Sequence, residues 1–285
     1  MTRFGPAGNE EAFSAAGHKS TVDAPAYVAS LGLNAYEYQC GRGVRVSPEH
    51  GAAMRAAAEA AGVQISVHAP YFISLASPEE EKRDNSIRYL LESCAAVKAM
   101  GGNRVILHPG SPVGKPRAEA MELAARTLVR AREACDAAGF AEILFCPETM
   151  GKQNQLGTVA EIAELCALDE RILPCIDFGH INAREGGILR TEADYEAIFD
   201  ALVSRIGRER TARFHAHFSR IQYGAGGEVR HLTFEDAEYG PFFEPLGEVI
   251  ARRGYEPTVI CESAGTQARD AASMCRKLLE IKERS

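Results

Sequence analysis

The sequence lacks any Cys-x-x-Cys pair and any hydrophobic run long enough to cross a membrane. Its 285 residues include eight cysteines, and their scattered spacing predicts reduced thiols rather than a disulfide framework. No stretch approaches the roughly 18 consecutive apolar residues of a membrane span. The opening segment Met1–Gly5 also lacks the apolar run of a signal peptide. We therefore expect a cytoplasmic protein with no membrane partner.

Positive charge is scarce as well. The chain has 32 Lys and Arg against 39 Asp and Glu, a formal net charge of −7. Proteins that hold nucleic acid through backbone charge alone are usually basic, so the balance disfavours a nonspecific coating protein. It is compatible with a local basic rim or with metal-mediated phosphate binding. The sequence has no Gly-rich phosphate loop, since Gly224–Gly227 is not followed by Lys-Ser/Thr and predicts a flexible turn.

Short β-prone runs alternate along the chain with Ala-, Glu- and Arg-rich stretches of helical spacing. This order is typical of a parallel sheet. Eight units in a chain of this length favour an α/β fold, a closed (β/α)₈ TIM barrel formed by one domain over residues 1–285, and an open doubly wound sheet is the alternative. The eight runs are Arg3–Gly5, Asn34–Gln39, Gln64–His68, Asn103–His108, Glu142–Glu148, Ile172–Asp177, Ala212–Phe218 and Pro257–Glu262.

Six of these predicted strands end in histidine or an acidic residue. The carboxyl ends of all barrel strands open on one face, where active sites lie, so these side chains should meet although they are far apart in sequence. Imidazoles and carboxylates without thiolates are typical ligands of catalytic zinc and related ions. The residues are His68, His108, Glu148, Asp177 with His180 three positions on, His215 in the run His215-Ala216-His217, and Glu262.

Each of these residues alone has a plainer interpretation. A histidine at a strand end is more often a capping or core residue, whereas a buried carboxylate is costly unless it is paired or metal-bound. Six strands that end alike favour a shared metal site at the carboxyl face. Cys146 and Cys175 lie two residues before a carboxylate and should line the barrel layer beneath that site as small hydrophobic residues.

Several sequence blocks resemble the signature blocks of endonuclease IV, the apurinic/apyrimidinic endonuclease family of xylose-isomerase-like barrels. The resemblance runs in order from about residue 30 to residue 270. It is carried by Val67-His-Ala-Pro-Tyr71, Leu107-His-Pro-Gly110, Pro147-Glu-Thr-Met-Gly151, Cys175-Ile-Asp-Phe-Gly-His180 and Cys261-Glu-Ser263. It implies a zinc-dependent phosphodiesterase that cleaves damaged double-stranded DNA 5′ to abasic sites in base excision repair, and we expect a monomer.

The resemblance also implies three zinc ions and their ligands. One ion would be held by His68, His108 and Glu148. Glu148 would bridge to a second ion, held also by Asp177, His215 and Glu262. His180 and His231 would hold the third. We assign His215 rather than His217, because the run from His215 to Arg220 matches the family's His-Leu-Asn-Asp-Ser-Lys block in register.

The chain departs from the family pattern at several places. The family has an Asp two residues before the last histidine of the third site, and here that position is Val229. Glu228, a water or a phosphate would then complete that site. The family's early Gly-x-His-x-Ser block is absent, and the segment from Gln39 to Arg42 matches the family's DNA-contacting loop only loosely. These departures concern substrate recognition more than metal binding.

In the mechanism that the resemblance implies, Glu148 and Glu262 are catalytic. A zinc-bridging water oriented by Glu148 attacks the phosphate, and the other ions stabilise the departing oxygen. Tyr71 and Phe72 are candidates to wedge into the DNA stack, and core packing is the alternative for Phe72. Arg42, Arg220 and Arg230, which follow strand ends, are candidate DNA contacts of a basic rim.

Two other functions fit parts of the pattern. Sugar isomerases and epimerases on this barrel hold one Mn²⁺ or Mg²⁺ with Glu, Asp, His and Glu, and Glu148, Asp177, His215 and Glu262 fit that set. Such a hard-ion site has no use for the imidazoles of His68, His108, His180 and His231. The third possibility is a non-catalytic barrel that binds metal or DNA, and Val229 is its only support in the sequence.

Overall fold

Eight parallel strands form the centre of the computed structural model, which describes residues 1–284. Each lies within or one residue beyond the run that the sequence predicted, because these runs combine β-branched and aromatic residues with turn residues on either side. The strands are β1 (Arg3–Pro6), β2 (Ala35–Gln39), β3 (Gln64–His68), β4 (Arg104–Leu107), β5 (Leu144–Pro147), β6 (Cys175–Asp177), β7 (His215–Phe218) and β10 (Thr258–Cys261).

The strands follow one another around a ring. Two parallel ladders run in the orders β1-β10-β7-β6 and β2-β3-β4-β5. A bridge between Ala7 and Glu37 joins β1 to β2, and a bridge between Glu148 and Cys175 joins β5 to β6. Because both seams are bridged, the carboxyl ends of all eight strands face one mouth. The prediction of a TIM barrel is confirmed.

Helices connect the strands and cover the outside of the ring. Where the sequence has an N-capping residue the helix begins there; Ser47, for example, accepts the backbone N–H of His50 at the start of the third helix. The helices are α1 (Glu11–Ala15), α2 (Ala24–Ser30), α3 (Pro48–Ala61), α4 (Glu80–Ala99), α5 (Arg117–Ala137), α6 (Val159–Cys166), α7 (Phe178–Arg184), α8 (Glu192–Ile206), α9 (Arg208–Ala212), α10 (Phe243–Arg253) and α11 (Gln267–Arg284).

An antiparallel hairpin is inserted after the seventh barrel strand, and the sequence analysis did not predict it. Its strands are β8 (Ile221–Gly224) and β9 (Gly227–His231). The Gly224–Gly227 segment is the turn between them, where Gly227 has a φ of 94°, a conformation that favours glycine. The hairpin brings two polar residues of β9 to the mouth.

The interior of the barrel is filled beneath the mouth. Cys146 and Cys175 are fully buried and pack with Ile106 and Leu173, as the sequence predicted. In the described part of the chain no helix combines the length and apolar character needed to cross a bilayer.

Candidate metal centre

A polar cleft of about 330 Å³ opens at the carboxyl ends of the strands. Most of its ligand candidates stand at or next to the end of a barrel strand or on the β8–β9 hairpin, and His180 lies on α7. Glu148 follows β5, Glu262 follows β10, and His68 is the last residue of β3. The lining residues that the sequence predicted as ligands are His68, His108, Glu148, His180, Glu228, His231 and Glu262.

Glu148 lies at the centre of these groups and is 1% exposed. Its Oε2 is 3.2 Å from Nε2 of His68 and 3.3 Å from Nε2 of His108. Its Oε1 is 3.1 Å from Nδ1 of His180 and 3.3 Å from Nδ1 of His217. The two oxygens therefore face two different pairs of imidazoles, which is the arrangement expected of a carboxylate that bridges two cations.

His217, and not His215, takes the place of the β7 ligand, which corrects the assignment from the sequence. Strand register is the reason: His217 pairs with Asp177 of β6, whereas His215 pairs with Cys175, two residues deeper in the barrel. His217 Nδ1 lies 3.6 Å from Glu262 Oε1. The other strand-end ligands stand at or just after the end of a strand, and this signal would have favoured His217 over the block alignment.

The third group forms on the hairpin through a β-bulge. Gln222 pairs with Arg230 and Tyr223 pairs with Glu228, so Val229 is the extra residue of β9 and its side chain is 60% exposed. Such a bulge re-aims the flanking side chains. Glu228 Oε2 lies 3.5 Å from Nε2 of His180, and its Oε1 lies 3.9 Å from Nε2 of His231. Glu228 thus lies between the two histidines that were predicted for the third site.

Oxygen atoms contact the outward nitrogens of three of these imidazoles. Nδ1 of His68 is 2.8 Å from the carbonyl oxygen of Ala69, and Nδ1 of His180 is 3.0 Å from that of Thr149. Nδ1 of His231 lies 2.8 Å from Oγ of Ser219. An acceptor on one ring nitrogen fixes the tautomer and presents the lone pair of the other nitrogen. His68 and His231 therefore present Nε2 to the cleft, whereas Nδ1 of His180 also lies 3.1 Å from Oε1 of Glu148.

Burial and mutual charge shift the pKa values of the acids in opposite directions. Burial raises the pKa of Asp177 to about 6, and the charges of Glu262 and Glu148 add to the rise against the effect of His180. Burial would also raise the pKa of Glu148, but the charge of His217 and the neighbouring imidazole hydrogen bonds hold it well below its ordinary value. Without a cation, the imidazoles supply the positive charge of the mouth.

Burial lowers the pKa of His68, but the hydrogen bond and charge of Glu148 outweigh it and raise the pKa to about 9. Burial lowers the pKa of His217, but the charges of Cys175 and of the nearby acids outweigh it and raise the pKa well above its ordinary value. Ligand imidazoles must be neutral to bind a metal. A cation that enters the mouth therefore displaces protons from these rings.

The residues present fit a cation centre. Oδ2 of Asp177 and both ring nitrogens of His217 are buried and make no hydrogen bond within residues 1–284, although buried polar atoms are normally paired. Acid and imidazole donors are the ligands of zinc and related divalent ions. Three groups at the mouth are compact enough to hold one ion each: His68, Glu148 and His217; Glu148, Asp177, His217 and Glu262; and His180, Glu228 and His231.

Two aromatic residues predicted to contact DNA stand at or near the rim. Tyr71 is 56% exposed and lines the mouth. Phe72 is 46% exposed and packs edge-on against Tyr89, with ring centroids 4.8 Å apart. Arg42 is exposed and lines a second cleft that shares Tyr71, Gln39 and Gly41 with the mouth. These positions are consistent with a surface for a ligand larger than the cleft itself.

Arg220 does not reach the mouth. Its guanidinium donates to the carbonyl oxygens of Phe234 and Asp236 and lies over the ring of Phe242, 4.6 Å from its centroid. Nη1 of Arg220 thus holds a loop away from the cleft, and a DNA contact of Arg220 stays a prediction. Arg230 is exposed on β9, where its Nε donates to Oε1 of Gln222 at 2.8 Å, and it stands beside the mouth rather than in its lining.

Curated relatives include proteins with nuclease names. The chain is 30% identical over 233 residues to "Uncharacterized protein MJ0133" of Methanocaldococcus jannaschii, covering 82% of this chain and 83% of that one. It is 31% identical over 197 residues to "Probable endonuclease 4" of Acholeplasma laidlawii, covering 67% of this chain and 64% of that protein. The second match thus spans just under two thirds of the relative's length.

Solved structures with this fold include both a nuclease and an epimerase-like protein. Endonuclease IV from Thermus thermophilus superimposes with a TM-score of 0.73 at 23% identity, over 99% of this chain and 100% of that one. A D-tagatose 3-epimerase-like protein gives 0.71 at 20% identity, over 99% of each chain. The profile of the xylose isomerase-like TIM barrel family matches residues 25–278. The resemblance to endonuclease IV is confirmed, and the chain belongs to the xylose isomerase-like TIM barrel family.

Proposed function

We propose that this protein is a metal-dependent phosphodiesterase that cleaves DNA on the 5′ side of abasic sites, with three zinc ions at the barrel mouth. One observation carries the proposal. Three compact ligand groups meet in a single cleft, and Glu148 and His217 are shared between two of them. A centre for several cations suits a phosphodiester, whose charge must be neutralised at both the attacking and the leaving oxygen.

The chain's own residues have distinct roles in this proposal. Bound zinc ions would supply an activated water at neutral pH and neutralise charge on the phosphate. Glu148 holds two adjacent ligand groups at a fixed spacing, since its oxygens face opposite imidazole pairs. The side chain of Glu262 is 16% exposed and borders the open cleft. There it orients the groups that surround the reacting phosphate. Asp177 and His217 close the second group from below.

The rim is proposed to recognise the damaged strand. An exposed aromatic such as Tyr71 can fill the gap that a missing base leaves in the stack, as wedging side chains do in kinked duplexes. Arg42 beside it and Lys152 in the cleft lining supply positive charge next to the acidic centre. This local charge would offset the net charge of −7 for a phosphate backbone.

The test uses a labelled duplex with a single abasic-site analogue and, as a control, the same duplex with a normal base. Zinc-loaded protein is expected to cut only the first duplex, 5′ to the lesion, to lose activity in EDTA and to regain it with added zinc. Glu262→Gln should lower the rate about 100-fold or more, because even outer-sphere changes cost 10–100-fold. Glu283→Gln, an exposed change on α11, is the matched control. Absence of cleavage by zinc-loaded protein would reject the nuclease.

A divalent-metal sugar epimerase is the second candidate, and the group Glu148, Asp177, His217 and Glu262 favours it. Solved epimerase-like proteins share the fold. This function needs one Mn²⁺ and leaves His68, His108, His180 and His231 without a role. One manganese per chain together with interconversion of ketose epimers would support the epimerase and reject the nuclease. Tight binding of abasic DNA without turnover would instead support the non-catalytic barrel.

A further inference from the structure

A buried carboxylate lies one layer below the mouth and has no part in the ligand set. Glu37 is on β2 and is 0% exposed. Each of its oxygens faces two donors. Oε2 accepts from Nε2 of His215 at 2.9 Å and from Oγ of Ser66 at 3.0 Å. Oε1 lies 3.0 Å from Nε2 of His217 and accepts from Nε2 of Gln39 at 3.2 Å.

His217 differs from His68 and His231 in the nitrogen that it presents to the mouth. Those two rings turn Nε2 to the cleft and have an oxygen atom next to Nδ1. His217 turns Nδ1 to Glu148 and Glu262, so its outward nitrogen is Nε2. Oε1 of Glu37 lies 3.0 Å from that nitrogen, as an ion-pair contact.

We propose that Glu37 is the positioning residue of this centre: it keeps the proton of His217 on Nε2, so that the lone pair of Nδ1 faces a cation bound by Glu148, Asp177 and Glu262. The proposal rests on the proposed metal centre. Carboxylate–imidazole–metal arrangements fix both the tautomer and the ring orientation of the ligand. Within residues 1–284, Glu37 reaches the mouth through its contacts with His217 and Gln39.

The groups around position 37 explain why a glutamate stands there. An ionised carboxylate only accepts hydrogen bonds, and this one is approached by four polar groups, from β3, β7 and β2 itself. An apolar residue at position 37 would leave Nε2 of His217 without an acceptor. A glutamine could still offer its carbonyl oxygen to His217 if its amide group turned toward Ser66, whose hydroxyl can accept as well as donate.

A competing explanation is that this layer binds a cation itself. Cys175, His215 and His217 have ligand atoms close enough together for that. In that case Cys175 would be as important as Glu37 for the number of bound ions. If Glu37 positions His217, Cys175→Ser should leave the number of ions unchanged.

The first experiment measures zinc content and zinc affinity, by elemental analysis and by competition with a chromophoric chelator. Glu37→Met should weaken zinc affinity at the tightest affected site about 10- to 100-fold. The zinc affinity of Glu37→Gln should lie between those of Glu37→Met and the wild type. Ser66→Ala removes another contact of the same carboxylate and should change the affinity less than the Gln variant. Wild-type affinity in Glu37→Met, or loss of one ion in Cys175→Ser, would overturn the proposal.

A second measurement needs no variant at position 37. Histidine ¹⁵N spectra of the zinc-loaded wild type, assigned for His217 by comparison with His217→Asn, should show the proton on Nε2. A proton on Nδ1 would overturn the proposal whatever the variants do. If wild type binds zinc but cuts no abasic DNA, the nuclease fails while the affinity results still decide the role of Glu37. If the wild type binds no zinc, both the proposed function and the proposed role of Glu37 are rejected.

Discussion

The mouth of the barrel and the layer beneath it both contain histidines and acidic residues, but the hydrogen bonding of the acids differs between the two layers. At the mouth, Asp177 has a carboxylate oxygen that is buried and makes no hydrogen bond in residues 1–284. One layer deeper, both oxygens of Glu37 are surrounded by donors. In the lower layer, His215 turns Nε2 to Glu37 and leaves Nδ1 unpaired within residues 1–284, whereas the imidazoles of the mouth converge on Glu148 and Glu228.

This difference separates ligands from supports. A buried polar group is normally paired, so a cluster whose atoms converge without being paired indicates that something else completes it. A cluster whose acceptors are all filled is complete already and can only orient its neighbours. His217 belongs to the mouth, since its Nδ1 faces Glu148 and Glu262. His215 pairs with Cys175 in the layer below, and Glu37 contacts both histidines.

The most severe test of this difference between the two layers is to replace Glu148, the acid that two ligand groups of the mouth share. Glu148→Gln keeps the shape but leaves two ligand groups without their common anion, so we expect the loss of at least one bound zinc and a fall in abasic-site cleavage of about 100-fold or more. Elemental analysis and cleavage rates measure both effects. Full metal content with full activity would show that Glu148 is only a core residue.

The two histidines of β7 offer a matched pair. His217→Ala should weaken zinc binding about 100-fold or more, since a direct ligand is lost. His215→Ala should leave the number of zinc ions unchanged and should instead lower the free energy of unfolding by about 1–3 kcal/mol, because it removes a buried partner of Glu37. Zinc titration and urea unfolding distinguish the two effects. The reverse pattern would restore the assignment made from the sequence.

The ligand group of His180, Glu228 and His231 tests whether β9 contains the bulge at Val229. Glu228→Gln should empty the third site and reduce the zinc content by one ion, with a smaller loss of activity than Glu148→Gln. Val229→Asp in the Glu228→Gln background should not restore the ion, because the side chain at position 229 points to solvent. Recovery of the third zinc in that double variant would mean that β9 lacks the bulge.

The rim is expected to affect DNA affinity and not metal content. Tyr71→Ala should weaken binding of the abasic duplex by about 1–3 kcal/mol, the range measured for aromatic stacking on bases. Phe72→Ala should have less effect, because Phe72 packs on Tyr89. Fluorescence anisotropy with catalytically inactive protein measures both. Equal losses for the two variants would argue against Tyr71 as the wedge.

The smallest expected effect concerns two arginines. Arg42→Gln should reduce the salt dependence of DNA binding by about one phosphate contact. Arg220→Gln should leave that slope unchanged and lower stability, since its guanidinium holds the loop at Phe234 and Asp236. Binding isotherms at several salt concentrations decide between them. A change of slope in Arg220→Gln would support the DNA contact predicted from the sequence.

The sequence predicted the barrel well because each strand is marked on both sides. Runs such as Gln64–His68 have apolar residues inside and end in a polar residue. In helices such as α5 the apolar residues are regularly spaced over about the whole helix. Parallel strands in a ring then require their ends to meet, so His68, Glu148 and Glu262 could be brought together without coordinates.

The remaining parts depend on register and on long-range packing. His215 and His217 face the same side of β7, and only the pairing with β6 shows which one reaches the mouth. Glu228 reaches the cleft through a bulge in a short hairpin, which leaves no clear periodicity in the sequence. Glu37 lies 178 residues before its partner His215, in a strand whose end carries no ligand, so no local signal marks it.

The central claim is most directly tested by anomalous diffraction at the zinc edge from crystals of the zinc-loaded protein. We expect three peaks at the mouth: one beside His68 and His108, one beside Asp177 and Glu262 with Nδ1 of His217 as a ligand, and one between His180 and His231. A single peak held by Glu148, Asp177, His217 and Glu262 alone, with the other four imidazoles turned elsewhere, would contradict the account.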